Sequence, residues 1–369
     1  MQTLENKRVL VVGLGASGEA AALLLLGEGA RVTVVDQGDT PALRVKAAEL
    51  RKLGAEVQLG ARSLERVDFS LAVVSPGVPP GSPLVRPLDV AVVPVVSELE
   101  LGWQRSLCLS IAVTGTNGKT TTTELIAHLL KETQRKTIAA GNIGLPLCHV
   151  AAETRDLDFL TLEVSSFQLE RIRFFRPAIA VLLNITPDHL DRYAGMADYA
   201  RAKSRVFENQ QPFDWAIVQS EALAMLRAQG VKLPSKVITF SAVNQRAELY
   251  LDRTLLISRV PGWEGVLLDL ERTQLRGPHN AENLMAALAV GRVLRIPLEE
   301  TRTALCSYQP AAHRCEPVAE INGVKFVNDS KATNLDAVAK AVQTMPAAEG
   351  GKPNVWLIAG GRDKGFDFY

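Results

Sequence analysis

Residues 107–121 read Leu107-Cys108-Leu109-Ser110-Ile111-Ala112-Val113-Thr114-Gly115-Thr116-Asn117-Gly118-Lys119-Thr120-Thr121. An apolar run enters a turn that holds two glycines and a lysine, and a helical pattern follows to about Leu130. A buried strand, a glycine-rich turn and a helix make the opening of a phosphate-binding α/β unit. Gly118 lets the backbone come close to a phosphate, Lys119 can reach the β- and γ-phosphates, and the Thr120 hydroxyl can ligate Mg²⁺. The turn is shorter than the standard G-x-x-x-x-G-K-[ST], because position 113 is Val where that pattern needs Gly. Its functional end is intact. Gly115, Thr116, Asn117, Gly118, Lys119, Thr120 and Thr121 are therefore expected to bind ATP or GTP.

A second turn of this kind lies upstream. The run 8–12 (Arg-Val-Leu-Val-Val) ends at Gly13-Leu14-Gly15-Ala16-Ser17-Gly18, a G-x-G-x-x-G between a strand and a helix, and Asp36 closes the next strand. Glycines admit a diphosphate to backbone N–H groups, and the helix N-terminus adds partial positive charge. The same glycines would also serve tight helix–strand packing, so this turn specifies its ligand weakly. Asp36 could accept from a ribose hydroxyl or from a uracil N–H. Two phosphate-type turns on two sheets imply two phosphate-bearing ligands, whereas a dehydrogenase needs only the first and a simple ATPase only the second.

Bulk composition limits the remaining choices. Lys plus Arg is 41 against 40 for Asp plus Glu, a net charge of +1. No basic excess marks a nucleic-acid or membrane-surface binder. The four cysteines, Cys108, Cys148, Cys306 and Cys315, have neither disulfide-framework nor zinc spacing. The N-terminus lacks a signal-peptide layout, and the longest apolar stretch, Ala20 to Leu26, is far below the ~18 residues a membrane helix needs. We expect a cytoplasmic, soluble, monomeric protein acting on small molecules, without membrane insertion.

Short strands are expected at 31–35, 71–74, 90–96, 159–162, 179–183, 215–218 and 237–240, with a helix over 98–104. The stretch 248–270 reads as short β pieces joined by Pro-Gly and Glu-Gly turns. Residues 324–327, 335–342 and 355–359 read as strand, helix and strand. The fold class is α/β in three parts: a Rossmann-like domain over 1–97, a central P-loop ATPase α/β domain over 98–310, and a Rossmann-like C-terminal domain over 311–369. The last part, about 59 residues, is short for a closed parallel domain, which needs ~100, so it is expected to be incomplete.

Several segments carry a family resemblance. Besides 115–121 they are Gly141-Asn142-Ile143-Gly144, the stretch Leu162 to Leu169 (LEVSSFQL), the stretch Asn184 to Arg192 (NITPDHLDR), His279-Asn280-Ala281-Glu282-Asn283, Ala312-His313-Arg314-Cys315-Glu316, and Asn328-Asp329-Ser330-Lys331-Ala332-Thr333-Asn334. In this order they resemble the Mur ligase family, and the last resembles its D-glutamate-adding branch. The resemblance runs from residue 8 to the last residue. It implies a UDP-binding N-terminal domain, a central ATPase and a C-terminal domain that brings the amino acid, with the end of that domain beyond Tyr369.

The resemblance also implies roles. UDP-N-acetylmuramoyl-L-alanine would be held by Gly15, Ala16, Ser17, Asp36, Ser75, Gly77 and Asn142. ATP would meet Asn280, Asn283, Arg314 and Asp329 as well as the 115–121 turn. Two Mg²⁺ ions would involve Thr120, Glu163, His189 and a Lys203 carbamylated by CO₂. Lys119, Glu163, His189 and Lys203 would form the catalytic set, and Lys331, Thr333 and Lys364 would hold D-glutamate. Without the resemblance, Glu163 reads as a strand-end carboxylate, His189 as a structural hydrogen bonder and Lys203 as an exposed helix lysine. Other readings are a related ligase adding another amino acid or extending folate with glutamate, a non-catalytic nucleotide binder, and a dehydrogenase.

Overall fold

The computed structural model describes residues 3–310, 313, 315–332, 335–343, 345 and 354–360. The chain begins with β1 (Arg8–Val12), α1 (Ala16–Gly27), β2 (Arg31–Val35), α2 (Pro41–Lys52), β3 (Glu56–Gln58), β4 (Leu71–Val74), α3 (Arg86–Val90), β5 (Val95–Ser97) and α4 (Glu98–Arg105). It continues through β6 (Leu109–Thr114), α5 (Lys119–Glu132), β7 (Thr137–Gly141), α6 (Leu147–Val150), β8 (Phe159–Glu163), α7 (Ser166–Leu169), β9 (Ile179–Leu182) and α8 (Met196–Ser204). Then come β10 (Trp215–Gln219), α9 (Ser220–Ala228), β11 (Lys236–Ser241), β12 (Leu249–Asp252), β13 (Leu255–Ser258), β14 (Gly265–Asp269), α10 (Pro278–Val293) and α11 (Leu298–Ser307). β15 (Glu316–Ile321), β16 (Val324–Asn328) and α12 (Leu335–Gln343) complete the order.

Packing divides the chain into two compact units: Met1–Thr114 with Arg135–Ala180 and Ala202–Asp214, and Gly115–Gln134 with Val181–Arg201 and Trp215–Tyr369. In the first, β3-β2-β1-β4-β5 form a wholly parallel sheet. Alternation along β1 sends Val9 and Val11 to the face covered by α1 and α2, and Leu10 and Val12 to the other face. Both faces are buried, so β1 reads as a continuous apolar run, as parallel strands do. The same unit holds β7-β8-β6, also parallel, with Gly141, Glu163 and Val113 in register at their carboxyl ends. That edge is where open α/β sheets place their ligands.

In the second unit β10, β11 and β12 pair in parallel, and β12, β13 and β14 continue as antiparallel hairpins, as the turn signals in 248–270 lead one to expect. α10 packs on both α5 and α11. Its residues Ala281 to Gly291 are all buried, which explains its near-uniform apolar composition. β15 and β16 pair antiparallel.

Two expectations change. Residues 90–96 do not form one strand: α3, with Pro87 in its first turn, runs through Val90, Val92 turns the chain at φ 56°, and only Val95–Ser97 joins the sheet. Residues 354–360 carry no strand, because no described strand pairs with them, although their composition suits one.

Candidate functional site: a phosphate turn and a carboxylate–amide pair

The phosphate turn belongs to the second unit. Gly118 caps the N-terminus of α5 at φ 84°, and a β-carbon there would fall on Asn283 Oδ1. Gly115 is equally constrained, since a β-carbon would come within 3.0 Å of Leu183 Cβ. Glycine is required at both for conformation and for space. Asn184 holds the turn from outside. Its Oδ1 accepts from the Asn117 N–H at 2.8 Å, and its Nδ2 donates to the Asn117 carbonyl at 3.1 Å. The Thr116 hydroxyl donates to the Thr186 carbonyl and accepts from the Thr186 N–H, at 3.1 and 3.0 Å. Lys119 Nζ curls back on the Gly115 and Thr116 carbonyls at 3.1 and 2.7 Å. A lysine so poised can swing to an incoming phosphate without leaving a buried charge behind.

A cavity of about 130 Å³ opens beside this turn within the same unit. It brings together Asn117, Gly118, Thr121, Asn280, Asn283 and Asp329, all expected nucleotide contacts, and also Lys331, expected on the D-glutamate side. Asn283 Nδ2 donates to Asn280 Oδ1 at 3.1 Å, and Thr122 Oγ1 donates to Asn283 Oδ1 at 3.1 Å. This chain of bonds ties α10 to α5. Asp329 Oδ1 accepts from the Cys315 N–H at 3.1 Å. His189 has φ 55°, unusual for a residue with a side chain, and Asp188 Oδ1 accepts its N–H at 2.9 Å. Its ring meets Tyr199 edge-on. Burial pushes the Tyr199 phenol well above its usual range.

The first unit holds the other expected residues. Asn142 Nδ2 donates to Glu163 Oε1 at 2.8 Å, and Asn142 N donates to the Glu163 carbonyl, also at 2.8 Å. Gly141 precedes them at φ 99°, where a β-carbon would strike that carbonyl. Glu163 is only 3% exposed and Lys203 only 2%. The exposed-lysine alternative for Lys203 therefore fails, and a lysine is seldom buried without a specific reason. In the N-terminal turn, a β-carbon on Gly18 would overlap the Gly13 carbonyl, and Ser75 Oγ donates to that carbonyl at 2.9 Å. Asp36 accepts from the Leu14 N–H at 2.6 Å and the Gly38 N–H at 2.7 Å, so it shapes the turn. Gly15, Ala16 and Gly77 are exposed, and Ser17 is half-buried.

Arg314, Thr333 and Lys364 lie outside the described residues. Reasoning from sequence left out Asn184, His279 and Cys315, which line the cavity beside the phosphate turn. The signal for Asn184 was present in its own N-I-T-P-D-H segment, but an asparagine that clamps a turn 67 residues away has no local pattern.

Comparison with known proteins identifies the family. Residues 113–291 match the Mur ligase middle domain, and residues 7–97 match the Mur ligase MurD-like N-terminal domain. The chain is 41% identical over 366 residues to the UDP-N-acetylmuramoylalanine–D-glutamate ligase of Koribacter versatilis, covering 98% of this chain and 79% of that protein. It is 40% identical over 374 residues to the protein of the same name from Pelotomaculum thermopropionicum, covering 100% and 80%. Among solved structures, UDP-N-acetylmuramate-alanine ligase of Thermotoga maritima aligns with a TM-score of 0.55 at 22% identity, over 92% of this chain and 77% of that one, a likeness of fold. With the phosphate turn, the Asn142–Glu163 pair and both family domains in one chain, the protein belongs to the Mur ligase family.

Proposed function

We propose that this protein joins the amino group of D-glutamate to the alanyl carboxylate of UDP-N-acetylmuramoyl-L-alanine, driven by ATP, in peptidoglycan synthesis. The observation that carries the reading is the 41% identity over 98% of the chain to a ligase of that name, with the phosphate turn built as nucleotide chemistry needs. In this reading residues 1–97 bind the UDP-linked substrate, 98–310 form the ATPase, and 311–369 bring the amino acid. The enzyme works as a soluble cytoplasmic monomer.

Carboxylates and amines do not condense in water without activation. An alanyl carboxylate oxygen attacks the γ-phosphorus of ATP, the bond to ADP breaks, and an acyl phosphate forms. The D-glutamate nitrogen then attacks the acyl carbon, gives up its proton, and phosphate leaves. Positioning and charge neutralisation are the protein's main tasks here. Lys119 leaves the Gly115 and Thr116 carbonyls for the β/γ-phosphates. Asn280 and Asn283 hold the adenine, Asp329 meets the ribose and Arg314 meets a phosphate. Gly15, Ala16, Ser17, Asp36, Ser75 and Gly77 hold the UDP moiety, and Asn142 orients the muramoyl-alanyl end. Lys331, Thr333 and Lys364 offer cationic and polar partners for a dicarboxylate.

The donor set also suits Mg²⁺ carried by a nucleotide. Mg²⁺ takes one or two carboxylates plus phosphate oxygens, not a dedicated protein cage, and the described residues form no cluster of three His, Cys, Asp or Glu. Thr120 and Glu163 would serve one ion, and His189 with a carbamylated Lys203 a second. When bound, the ions offset the negative charge of the phosphoryl group in flight. Carbamylation of Lys203 would replace its cation with an anionic ligand for the second ion.

ADP release measured with UDP-N-acetylmuramoyl-L-alanine, D-glutamate and ATP, each omitted in turn, tests the proposal. All three must be required, and D-glutamate must win over a panel of other amino acids. Equal turnover with L-alanine or L-lysine would overturn it.

A further inference from the structure

The segment Ser97-Glu98-Leu99-Glu100 opens α4 with two carboxylates, and neither is exposed at all. Both reach backbone far away in sequence. Glu98 Oε1 accepts from the Cys148 N–H at 2.5 Å, and the Glu98 carbonyl accepts from Cys148 Sγ at 3.4 Å. The Glu100 carboxylate accepts from three successive N–H groups, Arg173, Phe174 and Phe175, at 2.8 to 3.0 Å. Cys148 sits in α6, directly after the loop 141–146 that carries Asn142. The segment 173–175 follows β8 and α7, downstream of Glu163. One helical turn therefore fastens the continuations of both strands whose ends bear the Asn142–Glu163 pair.

The far end of α4 is fastened too. Arg105 forms a two-pronged ion pair with Glu28, just after α1, at 2.7 and 2.9 Å. α1 is the helix that begins at the Gly13–Gly18 turn. Between these fastenings α4 lies hard against α6, because a β-carbon on Gly102 would come within 2.7 Å of Leu147 Cγ and 2.8 Å of Cys148 N. All of this lies within one compact unit.

We infer that α4 is a spacer that fixes the distance between the diphosphate turn and the Asn142 loop, with Glu98 as the positioning residue at the loop end. The inference rests on the proposed function, because a UDP-linked acceptor must be held at its diphosphate and presented at its alanyl carboxylate. Glu98 touches no reacting atom. It acts through Cys148 and the loop, so that Asn142 meets the acceptor at a set place. Its second oxygen, Oε2, is buried without a hydrogen-bond partner, which a neutral acid or an amide tolerates better than a carboxylate. Glu98→Gln keeps the acceptor for Cys148 N–H and should behave like the parent, whereas Glu98→Ala removes the tether.

Hydrogen exchange on the whole chain without substrates reads the tether directly. Glu98→Ala should speed exchange across residues 141–150 about tenfold or more, as expected for loss of one buried hydrogen bond. Helix α5 should be unaffected, and Glu98→Gln should stay within about twofold of the parent. Gly102→Ala, which pushes α6 away by a different route, should give the same local pattern. In turnover, kcat/KM for the UDP-linked acceptor should fall about tenfold in Glu98→Ala while KM for ATP stays unchanged. Unaltered exchange over 141–150, acceleration spread evenly over the chain, or a parallel rise in KM for ATP would each overturn the inference. Should the parent protein make no product from D-glutamate, the proposed function falls, and the exchange pattern still decides the role of Glu98.

Discussion

Asn142 and Glu163 are bonded twice, side chain to side chain and backbone to backbone, each at 2.8 Å. The pair fixes where the Glu163 carboxylate points at the end of β8. Asn142→Ala removes the side-chain bond while the backbone bond keeps the loop in place. Misplacement of a group in a site that works by positioning can cost up to about 10²-fold, so kcat/KM should fall roughly 10- to 100-fold, and the lost hydrogen bond should lower the melting temperature by a few degrees at most. Steady-state kinetics beside a thermal melt checks this. Parent-like kinetics would remove Asn142 from the site.

The phosphate turn gives a sharper test. Gly118→Ala places a methyl on Asn283 Oδ1 and forces a side chain into φ 84°. Such a backbone strain costs about 1–3 kcal/mol before the clash is counted. ATP affinity, measured by titration calorimetry, should drop at least tenfold, since about 1.4 kcal/mol is a factor of ten. Gly54→Ala also forces a positive φ, but it meets open space and lies outside the turn, so ATP affinity should be unchanged there. Equal affinities in both variants would show that the turn does not hold the nucleotide.

Residues differ in how plainly the sequence speaks for them, and the reason is range. Gly118 and Lys119 act within their own turn, so strand, glycine and lysine announce them together. β1, α1 and β2 are legible because period and glycine placement are local signals. Glu98 and Glu100 read only as part of a helical stretch, since their partners are backbone N–H groups 50 and 73 to 75 residues away, and a backbone donor leaves no mark in sequence. Lys203 looks like a surface residue in Arg201-Ala202-Lys203-Ser204-Arg205, and only packing shows it buried. The strand expected at 355–359 fails for the same reason in reverse: β composition without a described partner is not a strand.

Burial raises the Glu98 pKa to about 7, against the lowering pull of its hydrogen bonds to Cys148. In the unfolded chain the group titrates near 4.5, so between these values the folded state binds the extra proton. Stability must then decrease as pH rises from about 4.5 to about 7, and level off above that. The full span is on the order of 3 kcal/mol, at about 1.36 kcal/mol for each pH unit between the two values. Urea midpoints at pH 5 and pH 8, compared between the parent and Glu98→Gln, isolate the contribution. The drop from pH 5 to pH 8 should be smaller in the variant. An identical drop in both proteins would assign it to other groups.

Lys203 is 2% exposed at the end of α8. In the proposed function a carbamate on this residue converts the cation into an anionic metal ligand. Lys203→Ala should therefore abolish most ligation while leaving ATP binding within about twofold, because the phosphate turn is untouched. Acetate or formate at high concentration should restore part of the activity by supplying the missing carboxylate oxygens. A plain structural lysine predicts the opposite, with lost stability in the melt and no response to either anion. Turnover of the parent protein should also fall when CO₂ is stripped from the buffer and recover when bicarbonate returns, whereas indifference to both treatments would leave Lys203 as a buried cation and no more.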